Sequence, residues 1–457
     1  MTEASRRGRR PLRIGAGASF AGDRIEPATE LAERGQLDYL VYETLAERTI
    51  AMANALRMKD PEKGYNELLE RRFMAALPHC RANGTKVVTN MGGANPLGAL
   101  RKTVEVIRKL GLGPMKVAAV LGDDVLAYCL AHADTLPIME TGAPLSSLVG
   151  EIVSANAYLG ADVIVAALER EADIVLTGRG ADCSLFLAPM IHEFGWAQDN
   201  WNLLAKGQVA ADMVECGANV SGGFFADPGY KDVPDLHRLG YPFLEAHEDG
   251  TCVLKKLDGT GGLINRASCI EQMLYEIHDP ANYITPDVVV DFTQVNLDEI
   301  APNQVRISGG LGRPRPAQYK VSVGIKEGWI GEAELTYAGL GCMARAQLAE
   351  QVVRERLKIG GVQLDEYRVD YIGINSLHGD ASPPMRDEPW EVRLRFAGRS
   401  RNRQDAQNLA NEVETLVGKG PCSSSLPRIN VREVLAIYSC LIPRDAVQPR
   451  IVIEEVA

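Results

Sequence analysis

The sequence predicts an α/β protein: a mostly parallel sheet with helices on both faces, followed by a small C-terminal α+β domain of ferredoxin-like type. Two observations carry this reading. Short apolar runs alternate with helix-length amphipathic segments through the first two hundred residues, and near the end one clear helix stands among several alternating strands.

Taken in order, Leu12–Ala18, Tyr39–Tyr42, Lys86–Asn90, Lys116–Gly122 and Asp173–Gly178 read as buried strands. Helical patterns fall between them at Glu26–Arg34, Pro61–His79, Pro96–Leu110 and Leu145–Leu159. A strand followed by a helix, repeated, implies crossover connections and therefore parallel neighbours. An open sheet is preferred to a closed barrel because the later chain breaks the repeat. From about Gly222, Gly, Pro and Asp become frequent and short strands appear at Thr251–Leu257, Val288–Thr293, Gln304–Ser308, Tyr319–Ile325 and Glu332–Tyr337. With the helix Met343–Leu357 they continue one domain over 1–357. Lys358–Tyr367 reads as a linker. The second domain, 366–457, then holds strands Val369–Leu377 and Trp390–Gly398, helix Arg403–Val417, and strands Val434–Leu441 and Arg450–Glu455.

Composition narrows the function. The chain has 457 residues, a formal charge of -11 and 24% charged residues. That balance argues for a globular protein and against a general nucleic-acid binder, which needs excess Lys and Arg. The one basic cluster, Arg6–Arg13, reads as a frayed tail. No apolar run approaches membrane-helix length, and Met1–Arg13 lacks the apolar stretch of a secretory signal. Nine scattered cysteines without a CxxC pair fit reduced thiols. Together these point to a cytoplasmic location.

The segments fit for chemistry sit at strand ends. Gly15, Gly17 and Gly22, with Asp23 and Arg24, form a glycine-rich run that can aim backbone N–H groups at an anion, or be a plain tight turn. Phe20 stands where a dinucleotide fingerprint needs its third glycine. Asn90-Met91-Gly92-Gly93-Ala94-Asn95-Pro96 offers amide donors to an oxyanion from Asn90 and Asn95, with Gly92 and Gly93 giving close backbone approach. Asp123 and Asp124 can hold a divalent cation, supply a base, or cap a helix. Arg179 can clamp a carboxylate or phosphate while Asp182 orients it or moves a proton. Cys183 is a candidate nucleophile or inert packing, and His192 an acid–base group or a structural one. Gly261, in the turn Asp258–Gly262, fits a phosphate or a close approach of backbone. Arg313, Arg315 and Lys320 bring three cations to one strand start. His378-Gly379-Asp380 reads as a turn or a cover for the site.

Phosphate-loop ATP chemistry, zincin spacing after His192-Glu193 and the nucleophile elbow at Gly17–Ala21 all fail on missing residues. In register, Gly15–Arg24, Asn90–Pro96, Gly122–Asp124, Asn156–Ala161, Thr177–Asp182, Glu215-Cys216, Gly259–Gly262, Thr285–Val288, Tyr319–Val321 and Gly339–Arg345 resemble the acyclic terpene utilisation (AtuA) family. The resemblance implies a role in breakdown of acyclic terpenoids through branched acyl-CoA thioesters, with a ferredoxin-fold domain following the main one. It assigns no catalytic residue.

The residues themselves point to a lyase or hydratase acting on a small carboxylate or acyl-CoA. Asp123 or Asp182 handles the proton, Asn90 and Asn95 stabilise an enolate, and the glycine turns with Arg179 bind the anion. A non-catalytic acyl-CoA-binding or assembly subunit, and a hydrolase using Cys183 or Ser19, are the alternatives. No cofactor motif is evident, CoA enters as part of the substrate, and a divalent metal at Asp123 and Asp124 stays open. No nucleic acid or membrane partner is expected, and the C-terminal domain is expected to make a homo-oligomer.

Overall fold

A computed structural model describes residues 10–148, 150–385 and 387–457. The chain divides into two compact units. The first holds the residues up to Ser147, Val153–Gly324 and Ile437–Ala457; the second holds Leu148–Ile152 and Ile325–Ala436.

The first unit opens with β1 (Leu12–Ala18), α1 (Glu26–Arg34), β2 (Tyr39–Tyr42), α2 (Glu47–Lys59), α3 (Leu69–Asn83), β3 (Lys86–Thr89), α4 (Pro96–Leu110), β4 (Met115–Leu121) and α5 (Leu126–Ala131). Next come β5 (Glu151–Ala157), α6 (Ala161–Leu168), β6 (Ile174–Thr177), α7 (Ser184–Phe194), α8 (Trp201–Glu215), β7 (Pro242–Ala246), β8 (Cys252–Lys256) and α9 (Arg266–Tyr275). Short strands β9 (Tyr283–Ile284), β10 (Val289–Asp291), β11 (Asn296–Ala301), β12 (Gln304–Ser308) and β13 (Leu311–Arg313) precede the long β14 (Gln318–Ala338). The remaining elements are α10 (Cys342–Ile359), β15 (Glu366–Ile372), β16 (Glu391–Ser400), α11 (Arg403–Lys419), β17 (Arg428–Pro443) and β18 (Arg450–Val456).

Among the described residues the main sheet is open, with order β11-β12-β8-β7-β1-β2-β3-β6-β4-β18. Its centre, β1 to β4 with β6, is parallel. Every other pairing is antiparallel, so the sheet is parallel at its centre, as expected, and mixed towards both edges. The central strands β2 and β6 are buried along their whole length, as strands covered on two faces must be. Leu40 and Tyr42 pack into one core with α1, α3 and α4. Their neighbour Tyr39 donates from the opposite face to Glu193 of α7 at 2.8 Å. Helix α4 illustrates how sequence sets an element. Asn95 caps it by accepting from the Gly98 N–H, Pro96 opens it, and Gly111 ends it in the left-handed conformation.

Three expected elements differ. Leu145–Leu159 is not a helix: after a short 3-10 turn it forms β5, which pairs with β14. Pro61–His79 is a loop followed by α3, and α2 precedes it unannounced. The runs at Tyr319 and Glu332 are one strand, β14.

In the second unit the order of elements is βαββαβ, from β14 through α10, β15, β16 and α11 to β17. The sheet order is β15-β16-β14-β17, and its core joins Leu335 and Phe396 to Ala346 and Val353 of α10 and Leu409 of α11. This unit takes in β14 from Ile325 onward and α10, upstream of residue 366. The strand expected at Arg450–Glu455 leaves it, because β18 pairs antiparallel with β4. Of the basic run at the start, Arg6, Arg7 and Arg9 lie outside the described residues, while Arg10 and Arg13 pair with Asp38 and Glu245. Among the described residues no helix is long and apolar enough to cross a membrane.

Candidate functional site

Parallel strands end on one edge of their sheet, and the residues just past β2, β3, β4 and β6 meet there. Arg179 follows β6 and is 1% exposed. Its Nη1 donates to Asp182 Oδ1 at 2.7 Å and to the Leu45 carbonyl. Nη2 lies 3.7 Å from the Glu47 carboxylate, and the guanidinium stacks 4.1 Å above the Tyr158 ring. Nε is buried and has no hydrogen-bond partner among the described residues.

Carboxyls surround this cation. Glu43 directly follows β2, and its Oε1 accepts from the Leu45 N–H at 2.7 Å and from Asn90 Nδ2 at 2.8 Å. Burial, with the nearby Asp182 charge, pushes Glu43 up to about 8. Asp123 lies just past β4 and accepts from Asn156 Nδ2 at 2.9 Å and from the Arg179 N–H at 2.8 Å. Burial raises it to about 6 against those hydrogen bonds. A Cβ on Gly178 would stand 2.5 Å from the Asp123 carboxylate, so only glycine allows this approach. Asp182 is also held above its ordinary value by burial, with Arg179 offsetting part of the rise. Glu47 goes the other way. Burial pushes it up, but Arg179, the Tyr158 hydroxyl and Lys320 outweigh that and leave it below its ordinary value. Asp212 and Glu215, on α8, are driven well up by burial and by neighbouring carboxylates.

The inner wall of the cluster is closed, with Glu43 and Glu215 each 6% exposed. Its outer members, Asp182, Glu47 and Lys320, keep 31%, 40% and 43% of their side chains open to solvent. The arrangement can hold an anion at a buried guanidinium and offer it both protonated and ionised carboxyls.

Of the residues singled out in the sequence, Asn90, Asp123, Arg179, Asp182 and Lys320 come together here. Most of the others do not. Asn95 caps α4, and its amide donates to the Pro61 and Lys63 carbonyls, so it has no donor left for an oxyanion. Gly15 and Gly17 lie inside β1, where a Cβ would strike Leu37 and the Tyr42 ring. Gly92, Gly93 and Gly261 each sit against a backbone carbonyl, of Thr177, Gly64 and Asp235 in turn. Gly22 and Arg24 are exposed. Asp23 organises its own loop, accepting from the Ser19 N–H and hydroxyl, the Arg24 N–H and the Tyr241 hydroxyl. Asp124 is exposed and accepts from the Leu126 N–H, turned away from buried Asp123. Among the described residues no three His, Cys, Asp or Glu groups are set to hold a metal ion.

The three cations expected together are apart. Arg313 donates to Asn282 at 2.7 Å and Arg315 pairs with Asp162 at 3.3 Å, leaving Lys320 alone at the cluster. The Cys183 thiol is pushed well up by burial and by Asp212, Glu215 and Asp182, which disfavours the thiolate a nucleophile needs. His192 is part-buried on α7 and lowered by that burial.

Sequence reasoning missed Glu43, Glu47, Asp212 and the role of Tyr158. Glu43 had a usable signal, a carboxyl directly after a buried strand. Glu47 and Asp212 had none, since their helices reach the site only through packing. No curated protein matches the chain. Residues 12–453, which span the main sheet and every member of this cluster, match the acyclic terpene utilisation family protein AtuA, and the chain belongs to that family.

Proposed function

We propose that the chain is a lyase or hydratase that takes a small carboxylate or a branched acyl-CoA thioester at Arg179, within the acyclic terpene utilisation that gives its family the name. One observation carries the reading. Among the described residues Arg179 keeps a buried N–H without a partner, beside carboxyls of opposite protonation tendency. An unpaired buried donor costs about 1–3 kcal/mol, a cost a bound anion removes. In a dehydration, Asp182 takes the proton next to the carbonyl and the C–O bond to the neighbouring carbon breaks. Glu43, still protonated near neutrality, gives its proton to the departing hydroxide to form water. Asn90 acts as a positioning residue, because both ends of its amide are spent on Glu43 and Thr44. The βαββαβ unit is read as ferredoxin-like and as the means of self-association.

The test compares wild type with Arg179→Lys and Glu43→Gln. Lysine keeps the charge but loses the planar fork and its Nε–H. In a thermal-shift panel of free carboxylates, CoA and branched acyl-CoA thioesters, wild type is expected to rise with one of these classes. Arg179→Lys should lose that rise by tenfold or more in affinity. Glu43→Gln should retain it while turnover falls at least a hundredfold, in the range general acid catalysis supplies. Ligand binding indifferent to Arg179→Lys refutes the reading.

A further inference from the structure

Three donors from three different places in the fold converge on one atom, Glu47 Oε1. The Tyr158 hydroxyl, just past β5, donates a hydrogen bond to it. Arg179 Nη2, past β6, and Lys320 Nζ, on β14, each lie 3.7 Å from it. The two cationic nitrogens therefore stand within twice that distance of each other. Both cations also lie over the Tyr158 ring, Arg179 at 4.1 Å from its centroid and Lys320 at 4.9 Å. At 3.7 Å neither cation makes a hydrogen bond to Glu47, so the charges are matched but the donors are not filled.

The donors are fixed to one another. The Tyr158 N–H donates to the Lys320 carbonyl at 2.9 Å, and the Ala181 N–H donates to the Leu159 carbonyl at 2.9 Å. The backbones that carry all three are thereby joined. Ser322 Oγ donates to the Tyr158 oxygen at 3.2 Å, which leaves the Tyr158 proton directed at Glu47. Glu47 is held less firmly. It opens α2 after Ala46, which supplies no side-chain cap, and its side chain is 40% open to solvent. Rotation about its own bonds carries its charge into water and leaves the three donors facing the point it occupied. Asp182, by contrast, closes on the same guanidinium at 2.7 Å, as a permanent counter-ion does.

We infer that Arg179, Lys320 and Tyr158 form a carboxylate seat, and that Glu47 is its internal occupant, displaced when an acid binds. The inference rests on the reading of Arg179 as the anion clamp. It adds two residues to that clamp and a built-in competitor that sets its affinity.

The probe is butanoate, with butanamide as its uncharged control, and affinity is measured by ligand-detected NMR titration at fixed ionic strength. Glu47→Gln keeps the shape of the side chain and removes its charge. It should bind butanoate about two- to fivefold more tightly than wild type, the range of one partly exposed ion pair. Lys320→Met should weaken binding by a similar factor. Tyr158→Phe, which keeps the ring, should weaken it by roughly tenfold. Butanamide should gain nothing from Glu47→Gln. Melting curves check that each variant is folded, and the Lys320 and Tyr158 variants decide the matter should Glu47→Gln not fold. Binding left unchanged or weakened by Glu47→Gln overturns the displacement, and binding indifferent to Lys320→Met and Tyr158→Phe overturns the seat. Affinity lost only in Arg179→Lys keeps the clamp and overturns the seat. Indifference to Arg179→Lys, with the other three responses as expected, overturns the clamp and leaves Lys320 and Tyr158 as the anchor. No butanoate binding by wild type or by Glu47→Gln overturns both.

Discussion

At neutral pH a carboxyl group in water carries a charge, but burial holds Glu43 near 8 and keeps its proton in place. The unfolded chain returns this group to its ordinary 4.5, so unfolding releases a proton at any pH between the two values. The stability it contributes is complete below the lower value and is lost as pH rises through the upper one. Asp123 and Asp287, each raised to about 6 by burial, act in the same direction over a narrower window. Glu43→Gln fixes the neutral form. Its stability is expected to fall less than that of wild type between about pH 5 and about pH 8, the difference amounting to a few kcal/mol at most. Calorimetry across that range checks it, and parallel curves would mean that Glu43 does not titrate there. The two asparagines are separable in the same way. Asn95→Ala removes a helix cap and should cost about 1–2 kcal/mol without changing ligand affinity. Asn90→Ala should cost a similar amount and also shift the pH dependence, since it frees Glu43. Binding unchanged by both would remove Asn90 from the site.

At the scale of elements, the parallel core was legible because each of its strands is a short, mainly apolar run bounded by turn residues. β1, β2 and α4 fall where the pattern puts them. The segment 145–159 failed for a physical reason. Leu145, Leu148, Ile152, Ala155 and Leu159 keep helical spacing, yet Gly150 adopts φ +143 and Ile152-Val153 favour the extended chain that pairs with β14. The site divides along the same line. Asn90, Asp123, Arg179 and Asp182 could be grouped because parallel strands gather their carboxyl ends. Glu47, Asp212 and Glu215 come from helices, and nothing in their local pattern points to a common centre. Glycines misled most, since a residue without a side chain serves tight packing and ligand approach equally well. Gly17 shows which applies here. Gly17→Ala puts a methyl 2.7 Å from the Tyr42 ring and is expected to destabilise by roughly 1–3 kcal/mol, with no selective effect on carboxylate binding. Selective loss of binding at unchanged stability would restore the ligand-loop reading.

For the molecule as a whole, the decisive feature is that the first unit is discontinuous. β4 takes its outer partner, β18, from beyond the entire second unit, with Val452 opposite Ala119 and Ile453 opposite Ala118. Deleting residues 444–457 is expected to leave β4 as an unpaired edge and to strip hydrogen-exchange protection from its outward amides, while the core of the second unit stays protected. Protection retained in β4 would show that the strand does not depend on its distant partner. The pairing also bears on biosynthesis. A ribosome delivers β4 long before β18, so during translation the site strands stand at an open edge of the kind that recruits other chains. Pairings so distant in sequence close slowly. Yield in the cell should therefore respond to synthesis rate and to chaperone supply more than the stability of the finished sheet suggests.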